Sequence, residues 1–161
     1  MKKEIERRFL VDQAKLPKLS HGKLLTQGYL SKLQNPEDPL VRVRLEGRKS
    51  YITIKLFQTE LTKQEFEYEI PLKEGEKLLD GCLAMVQKIR YSVSIASHLW
   101  TIDVYETENF PLVIAEIELK NEEEMFELPL WVTKEVTHDP RFHAYSLAFK
   151  PFSTWKRQLT K

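Results

Sequence analysis

Glu4-Ile5-Glu6-Arg7-Arg8-Phe9-Leu10-Val11 alternates: Glu4, Glu6 and Arg8 fall on one parity, and Ile5, Arg7 and Phe9 on the other. Successive side chains of a strand point to opposite faces, so this stretch reads as a strand with one charged face. The same period recurs down the chain. Arg42 and Arg44 alternate with Val41, Val43 and Leu45; Tyr51, Thr53 and Lys55 alternate with Ile52, Ile54 and Leu56. Glu65, Glu67 and Glu69 alternate with Phe66, Tyr68 and Ile70, and Lys88 and Arg90 with Ile89 and Tyr91. Asp103 and Tyr105 alternate with Ile102 and Val104, and Glu116, Glu118 and Lys120 with Ala115, Ile117 and Leu119. A weaker run surrounds Gln27-Gly28-Tyr29-Leu30. The sum is about eight strands of ordinary length.

Glu46-Gly47-Arg48-Lys49 reads as a hairpin turn, and Asn35-Pro36-Glu37-Asp38-Pro39 as a loop. Lys73 to Val86 is expected to be a helix, with Leu78, Leu79, Cys82, Leu83 and Val86 on one stripe. Glu122 to Glu127 is a short acidic helix candidate, and Asp139-Pro140 opens another that runs to Phe149. Phe152 to Lys161 continues as helix or frays. No internal repeat or linker interrupts the 161 residues, which are read as one domain, 1–161.

Charged residues at alternate strand positions are ordinarily a solvated face. Three features argue otherwise. The polar faces hold almost only carboxylates, Arg and Lys. The signs are sorted: carboxylates fill the strands at Glu4, Glu65 and Glu116, cations those at Arg42, Lys55 and Lys88. The opposite faces are apolar and need cover from helices. An eight-stranded antiparallel sheet with helices outside closes naturally into a barrel, leaving the polar face within. The fold class is α+β. A lumen lined with both signs is costly without a compensating ligand. Carboxylate clusters suit hard cations such as Mg²⁺ or Mn²⁺, and Arg forks and Lys suit phosphate oxygens.

The chain resembles the CYTH superfamily, the triphosphate tunnel metalloenzymes. Glu4-Ile5-Glu6-Arg7-Arg8 is similar to the family's E-x-E-x-K signature. Gln27-Gly28-Tyr29-Leu30, Val41-Arg42-Val43-Arg44, Thr53-Ile54-Lys55, Gln64-Glu65-Phe66-Glu67, Lys88-Ile89-Arg90-Tyr91, Asp103-Val104-Tyr105 and Ala115-Glu116-Ile117-Glu118 come in family order. Glu135-Val136-Thr137-His138-Asp139 resembles the segment before the family's last helix. The resemblance implies that Glu4, Glu6, Glu116 and Glu118 coordinate Mg²⁺ or Mn²⁺, with Glu65, Glu67 and Asp103 as further acidic lining at a second metal or through water. It implies that Arg8, Arg42, Arg44, Lys55, Lys88 and Arg90 grip a triphosphate, with Glu4, Glu6, Arg8 and Lys55 serving catalysis. Two departures stand out. Arg8 replaces the signature lysine and hardly loses its proton, which argues against a proton shuttle there. His143-Ala144-Tyr145-Ser146 lacks the expected asparagine. Lys134 is a candidate to reach the lumen.

Other classes find less support. A net charge of +1 argues against nucleic-acid or anionic-membrane partners, and no apolar run is long enough for a membrane helix. The start has no secretory signal and Cys82 is the only cysteine, so the expected compartment is the cytoplasm. Cys82 reads as a core thiol, Trp100, Trp131 and Trp155 as packing residues, Arg7 and Lys2 as exterior, and Tyr29 and Tyr145 as either substrate contacts or packing. His21, His98, His138 and His143 show no paired-ligand spacing, and no serine sits in a nucleophile elbow. The expected activity is metal-dependent hydrolysis of inorganic tripolyphosphate. The alternatives are an organic triphosphate enzyme (thiamine triphosphatase, nucleoside triphosphatase or class IV adenylate cyclase) and a non-catalytic polyphosphate or nucleotide sensor. The family resemblance also allows a homodimer.

Overall fold

The computed structural model describes residues 1–59 and 61–159. Nine strands form: β1 (Lys2–Val11), β2 (Lys23–Tyr29), β3 (Leu40–Glu46), β4 (Lys49–Phe57), β5 (Thr62–Ile70), β6 (Ala84–Ile95), β7 (His98–Tyr105), β8 (Val113–Glu118) and β9 (Val132–Glu135). Their order is β5-β4-β3-β2-β6-β7-β8-β1-β9, and β1 also pairs with β5, which closes the first eight into an antiparallel barrel. β1 manages this by dividing one edge. Its Lys2–Ile5 segment lies against Glu65–Thr62, and Phe9–Val11 against β9. The other edge runs along β8, with Glu6 opposite Glu118 and Arg8 opposite Glu116. The ninth strand was not expected from sequence; Val132-Thr133-Lys134-Glu135 is too short and polar to show a period.

The barrel has two cores on opposite faces of its wall. One lies inside, at one end. Tyr29, Leu40, Val86, Tyr105 and Ile114 each occupy the lumen parity of their strand, and they pack with Leu112, Val136, Phe142, Leu147 and Trp155. Pro140–Phe142, a 3-10 turn, and α2 (Ala144–Phe149) carry Phe142 and Leu147 into this cluster. Asp139 caps the turn by accepting from the Arg141 amide, with Pro140 at its first position, as its sequence suggests. The other core lies outside. Ile5, Phe9, Trp100, Ile102, Ala115 and Ile117 are covered by Leu119, Phe126 and Trp131. All three tryptophans are buried in packing roles.

The helices differ from expectation in extent. α1 covers Leu72–Asp80 only and ends at Gly81; Val86 belongs to β6 and faces the inner core. The strand period of Ala84 to Arg90 prevails over the helical stripe. α1 lies on the outer face of β2–β4, where a Cβ on Gly75 would collide with Ser50 Cβ and one on Gly28 would meet Cys82 Sγ at 2.5 Å. Residues 122–127 are not helical, because their carboxylates bind elsewhere. Glu122 accepts from the Thr59 hydroxyl at 2.9 Å and from Thr62, and Glu124 from the Lys120 amide. The 46–49 turn forms with Gly47 at φ +60°, a left-handed conformation natural to glycine. After α2 the chain makes 3-10 turns at Phe152–Thr154 and Lys156–Leu159; residues 160 and 161 lie outside the described residues.

Candidate active site

Beyond the inner core the lumen parity turns charged. β1 supplies Glu4, Glu6 and Arg8; β3 supplies Arg42 and Arg44; β4, Thr53 and Lys55; β5, Lys63, Glu65 and Glu67. β6 adds Lys88 and Arg90, β7 Asp103, and β8 Glu116 and Glu118. Strand pairing joins these into three ion networks, the first of them across the β1–β5 closure.

In the first, Lys55 Nζ donates to both Glu4 oxygens at 2.8 and 2.7 Å and meets Glu65 at 3.1 Å. Glu4 and Lys55 are each 8% exposed. The second crosses β1, β8, β7 and β6. Arg8 pairs with Glu6 and, at 3.1 Å, with Glu116, whose other oxygen takes Arg90 at 3.1 Å. Arg90 also forks onto Asp103 with two 2.7 Å bonds, and Lys88 donates to the same carboxylate at 2.5 Å. In the third, Glu67 gathers Arg42 at 3.4 Å, Arg44 at 3.2 Å and the Thr53 hydroxyl at 2.9 Å. Glu118 stands at the mouth with Lys2, 2.6 Å away, both about half exposed. Lys2 therefore shares the lumen parity of Glu4 and Glu118. Arg7 is exterior as expected, forked onto Glu135 at 2.7 and 2.6 Å. Lys134 is exposed on β9.

The field inside is balanced by paired charges. Burial works against the Glu4 charge, but Lys55 and Lys63 outweigh it and hold the carboxyl below its usual range. Burial likewise opposes Glu6, and Arg8 outweighs it. Glu116 is lowered too: Lys88, Arg8 and Arg90 prevail over burial and the repulsion of Glu6. Burial and then Arg90 push Lys88 down despite Asp103, and burial and Arg42 push Arg44 down. Buried donors without a hydrogen-bond partner remain on Arg42 Nε, Arg44 Nε and the Tyr105 hydroxyl. Such groups are costly unless a ligand engages them.

The donor set suits a hard divalent cation. Glu4, Glu6 and Glu116 each feel the repulsion of another carboxylate, the mark of acidic oxygens gathered in one space. Among the described residues no three His, Cys, Asp or Glu side chains converge at ligand distance. Lys55 and Arg8 hold these carboxylates instead. Asp103, Glu65 and Glu67 are engaged by cations in the same way.

Two lumen residues escape the sequence reading. Lys63 lies on the parity of Glu65 and Glu67, one step before the run that shows the period. His143 approaches Arg8 from the C-terminal segment, where no local pattern marks it. Its Nε2 donates to the Thr137 carbonyl at 3.2 Å, and burial, then Arg8, lowers its pKa to about 4. Tyr29 and Tyr145 pack edge-to-face at 5.2 Å in the inner core. At the mouth, Ser20, His21, Lys23, Glu46, Arg90 and Ser92 line a cavity of about 420 Å³.

A barrel closed at one end by an apolar plug and lined beyond it by interleaved carboxylates, guanidinium and ammonium groups is the architecture of a binding tunnel for a small polyanion. The chain belongs to the CYTH domain family, whose model matches residues 2–143. It is 37% identical to an inorganic triphosphatase of Acetivibrio thermocellus, across 97% of this chain and 99% of the relative. The crystal structure of the inorganic triphosphatase NE1496 is similar, with 33% identity, a TM-score of 0.65, and coverage of 91% of this chain and 97% of the other. HpAC1 from Hippeastrum, described as having a dominant triphosphatase activity, shares the fold with a TM-score of 0.56 at 16% identity, covering 76% and 81%.

Proposed function

We propose that this chain is a divalent-metal-dependent inorganic triphosphatase. The observation that carries the reading is the lumen. Arg8, Arg42, Arg44, Lys55, Lys88 and Arg90 line one face-to-face lumen with an apolar plug at one end, each already held by a carboxylate. A polyanion entering it meets oriented donors rather than mobile ones, which lowers the ordering cost of binding. The near-identical length of the Acetivibrio relative supports the same substrate class.

Arg42, Arg44, Lys88 and Arg90 grip the phosphate chain, fixed in direction by Glu67 and Asp103. Arg8 and Lys55 face the scissile end and offset the charge that grows on the leaving phosphate. Glu4, Glu6, Glu116 and Glu118 would hold Mg²⁺ or Mn²⁺, which supplies Lewis-acid polarisation of phosphate oxygens and orientation of water. The inner core excludes bulk water from the far end of the tunnel.

Purified protein offered tripolyphosphate, ATP and thiamine triphosphate with Mg²⁺, Mn²⁺ or EDTA tests this. EDTA-sensitive orthophosphate release, fastest on tripolyphosphate, is expected. Cyclic AMP with pyrophosphate, or binding with no turnover of any substrate, would replace the reading.

A further inference from the structure

Lys63 sits on β5 directly opposite Glu4 of β1, on the lumen face. It is 7% exposed. Its nearest carboxylate oxygen, Glu4 Oε2, is 4.0 Å from Nζ, at the outer limit of an ion pair. That carboxylate is already committed to Lys55, whose ammonium contacts both oxygens at under 3 Å. Lys55 also has Glu65 at 3.1 Å. Among the described residues Lys63 has no bidentate contact, and its second acid, Glu6, acts on it from beyond ion-pair distance. Its other neighbour is the Phe57 ring, 5.9 Å from Nζ, which caps the ammonium without accepting a hydrogen bond.

The other deep cations differ. Arg8 is shared by Glu6 and Glu116, Lys88 is held by Asp103, and Arg90 by Asp103 and Glu116. Lys63 is a loosely held lumen cation that shares its nearest carboxylate with Lys55 and feels the charges of Glu4, Glu6 and Arg8. A lumen cation held this loosely keeps donors that an incoming anion can claim. A phosphate oxygen arriving among these groups would do so, and three rotatable donors on a four-carbon stem suit a terminal phosphate.

We infer that Lys63 is a further substrate-gripping residue of the tunnel, binding a terminal phosphate beside Glu4 and Glu6. This rests on the triphosphatase reading. It assigns Lys63 a contact with substrate that the folded apo-protein does not require, and this separates it from a structural lysine.

The test is Lys63→Met, which keeps the stem and removes the charge, with Lys63→Arg as the conservative companion. Melting is followed with and without tripolyphosphate in EDTA, so that binding is read without turnover. Lys63→Met is expected to melt at or above the wild-type temperature when empty, and to lose most of the shift that tripolyphosphate gives the wild type. With metal present, KM for tripolyphosphate should rise by about 10- to 100-fold, the scale of one hydrogen bond to a charged group. Lys63→Arg should restore most of the ligand-induced shift. An empty Lys63→Met protein that melts well below wild type, with its ligand shift intact, would show a structural lysine and overturn the inference. An unchanged KM and ligand shift would overturn it as well. A wild type that neither binds nor hydrolyses tripolyphosphate would instead remove the reading on which it rests.

Discussion

Replacing Asp103 by Asn probes the charge balance most directly. Asp103 is completely buried, and its two oxygens carry three bonds: 2.5 Å from Lys88, and 2.7 Å twice from Arg90. Asn keeps the volume but removes the charge, and its amide presents a donor to one of two cations. Arg90 retains Glu116 at 3.1 Å. Lys88, 2% exposed, has Asp103 as its paired acid and loses it. Removing one partner of a buried pair costs about 3–5 kcal/mol, because a desolvated charge is left alone. A chain of this size loses about 2–4 °C of Tm per kcal/mol, so the expected fall is about 6–20 °C. The assay is thermal unfolding followed by circular dichroism at pH 7.5. The second arm is Asp103→Asn combined with Lys88→Met. If the cost is the stranded ammonium, removing it recovers much of the loss, since deleting both partners is far cheaper than deleting one. A single variant melting within 2 °C of wild type, by about the scale of a neutral surface change, would refute the reasoning. So would a double variant no more stable than the single.

His143 gives a pH dependence. Its folded pKa of about 4 lies below the ordinary 6.5, so the unfolded chain takes up a proton that the fold refuses. Stability from this group is full above pH 6.5 and is lost as pH falls toward 4, by about 3 kcal/mol in all; His143→Gln should flatten the Tm–pH profile in that window. Glu4, Glu6 and Glu116, held low by their cations, contribute a separate loss at lower pH, below the ordinary carboxylate value. Gly75→Ala drives a methyl against Ser50 and should cost about 1–3 kcal/mol by overpacking, read as a lower urea midpoint with an unchanged m-value. Glu4→Gln with Glu6→Gln should reduce turnover by about 100-fold or more, the scale of losing a charge-stabilising group, while tripolyphosphate still raises the Tm.

Legibility from the sequence tracked parity. Wherever one face of a strand was charged and the other apolar, as at Glu4–Phe9, Arg42–Leu45 and Glu116–Leu119, the strand and its inward face were readable. The barrel itself stems from those faces: the apolar outer face takes cover from the helix and loops outside, and closing eight strands leaves the polar face within. Side-chain pairing was not readable. The sequence lines up acids and cations along each strand, but does not show that Lys55, Arg42, Arg44, Lys88 and Arg90 reach Glu65, Glu67 and Asp103 across neighbouring strands. α1 was read too long because Leu83 and Val86 extend a helical stripe that the β6 period overrides. His143 comes to Arg8 through tertiary packing of a segment with no period of its own.

The depth of the tunnel is written along each strand, in a second variation laid over the alternation. On the lumen parity, β1 runs Glu4, Glu6, Arg8, Leu10; β3 runs Leu40, Arg42, Arg44; β6 runs Val86, Lys88, Arg90; β8 runs Ile114, Glu116, Glu118. Antiparallel neighbours place these apolar members at the same end, where Leu10, Tyr29, Leu40, Phe57, Val86, Tyr105 and Ile114 meet Phe142 and Leu147. Alternation gives the inside, and the switch from charged to apolar along that inside gives the closed end. A tunnel sealed this way admits substrate and releases product through one mouth. The deepest phosphate is then a chain end, met by the cations next to the plug on their strands: Arg8, Arg42, Lys55 and Lys88. Charge placed there acts on a terminal phosphate, whereas charge at Arg44 and Glu118 acts on the phosphates nearer the mouth. Opening the plug with Leu147→Ala would test that division. It leaves every charged residue in place but costs about 2–5 kcal/mol of core packing and lets water reach the far end. Orthophosphate release should fall while tripolyphosphate binding in EDTA persists; loss of both together would mean that the grip and the plug are not separable.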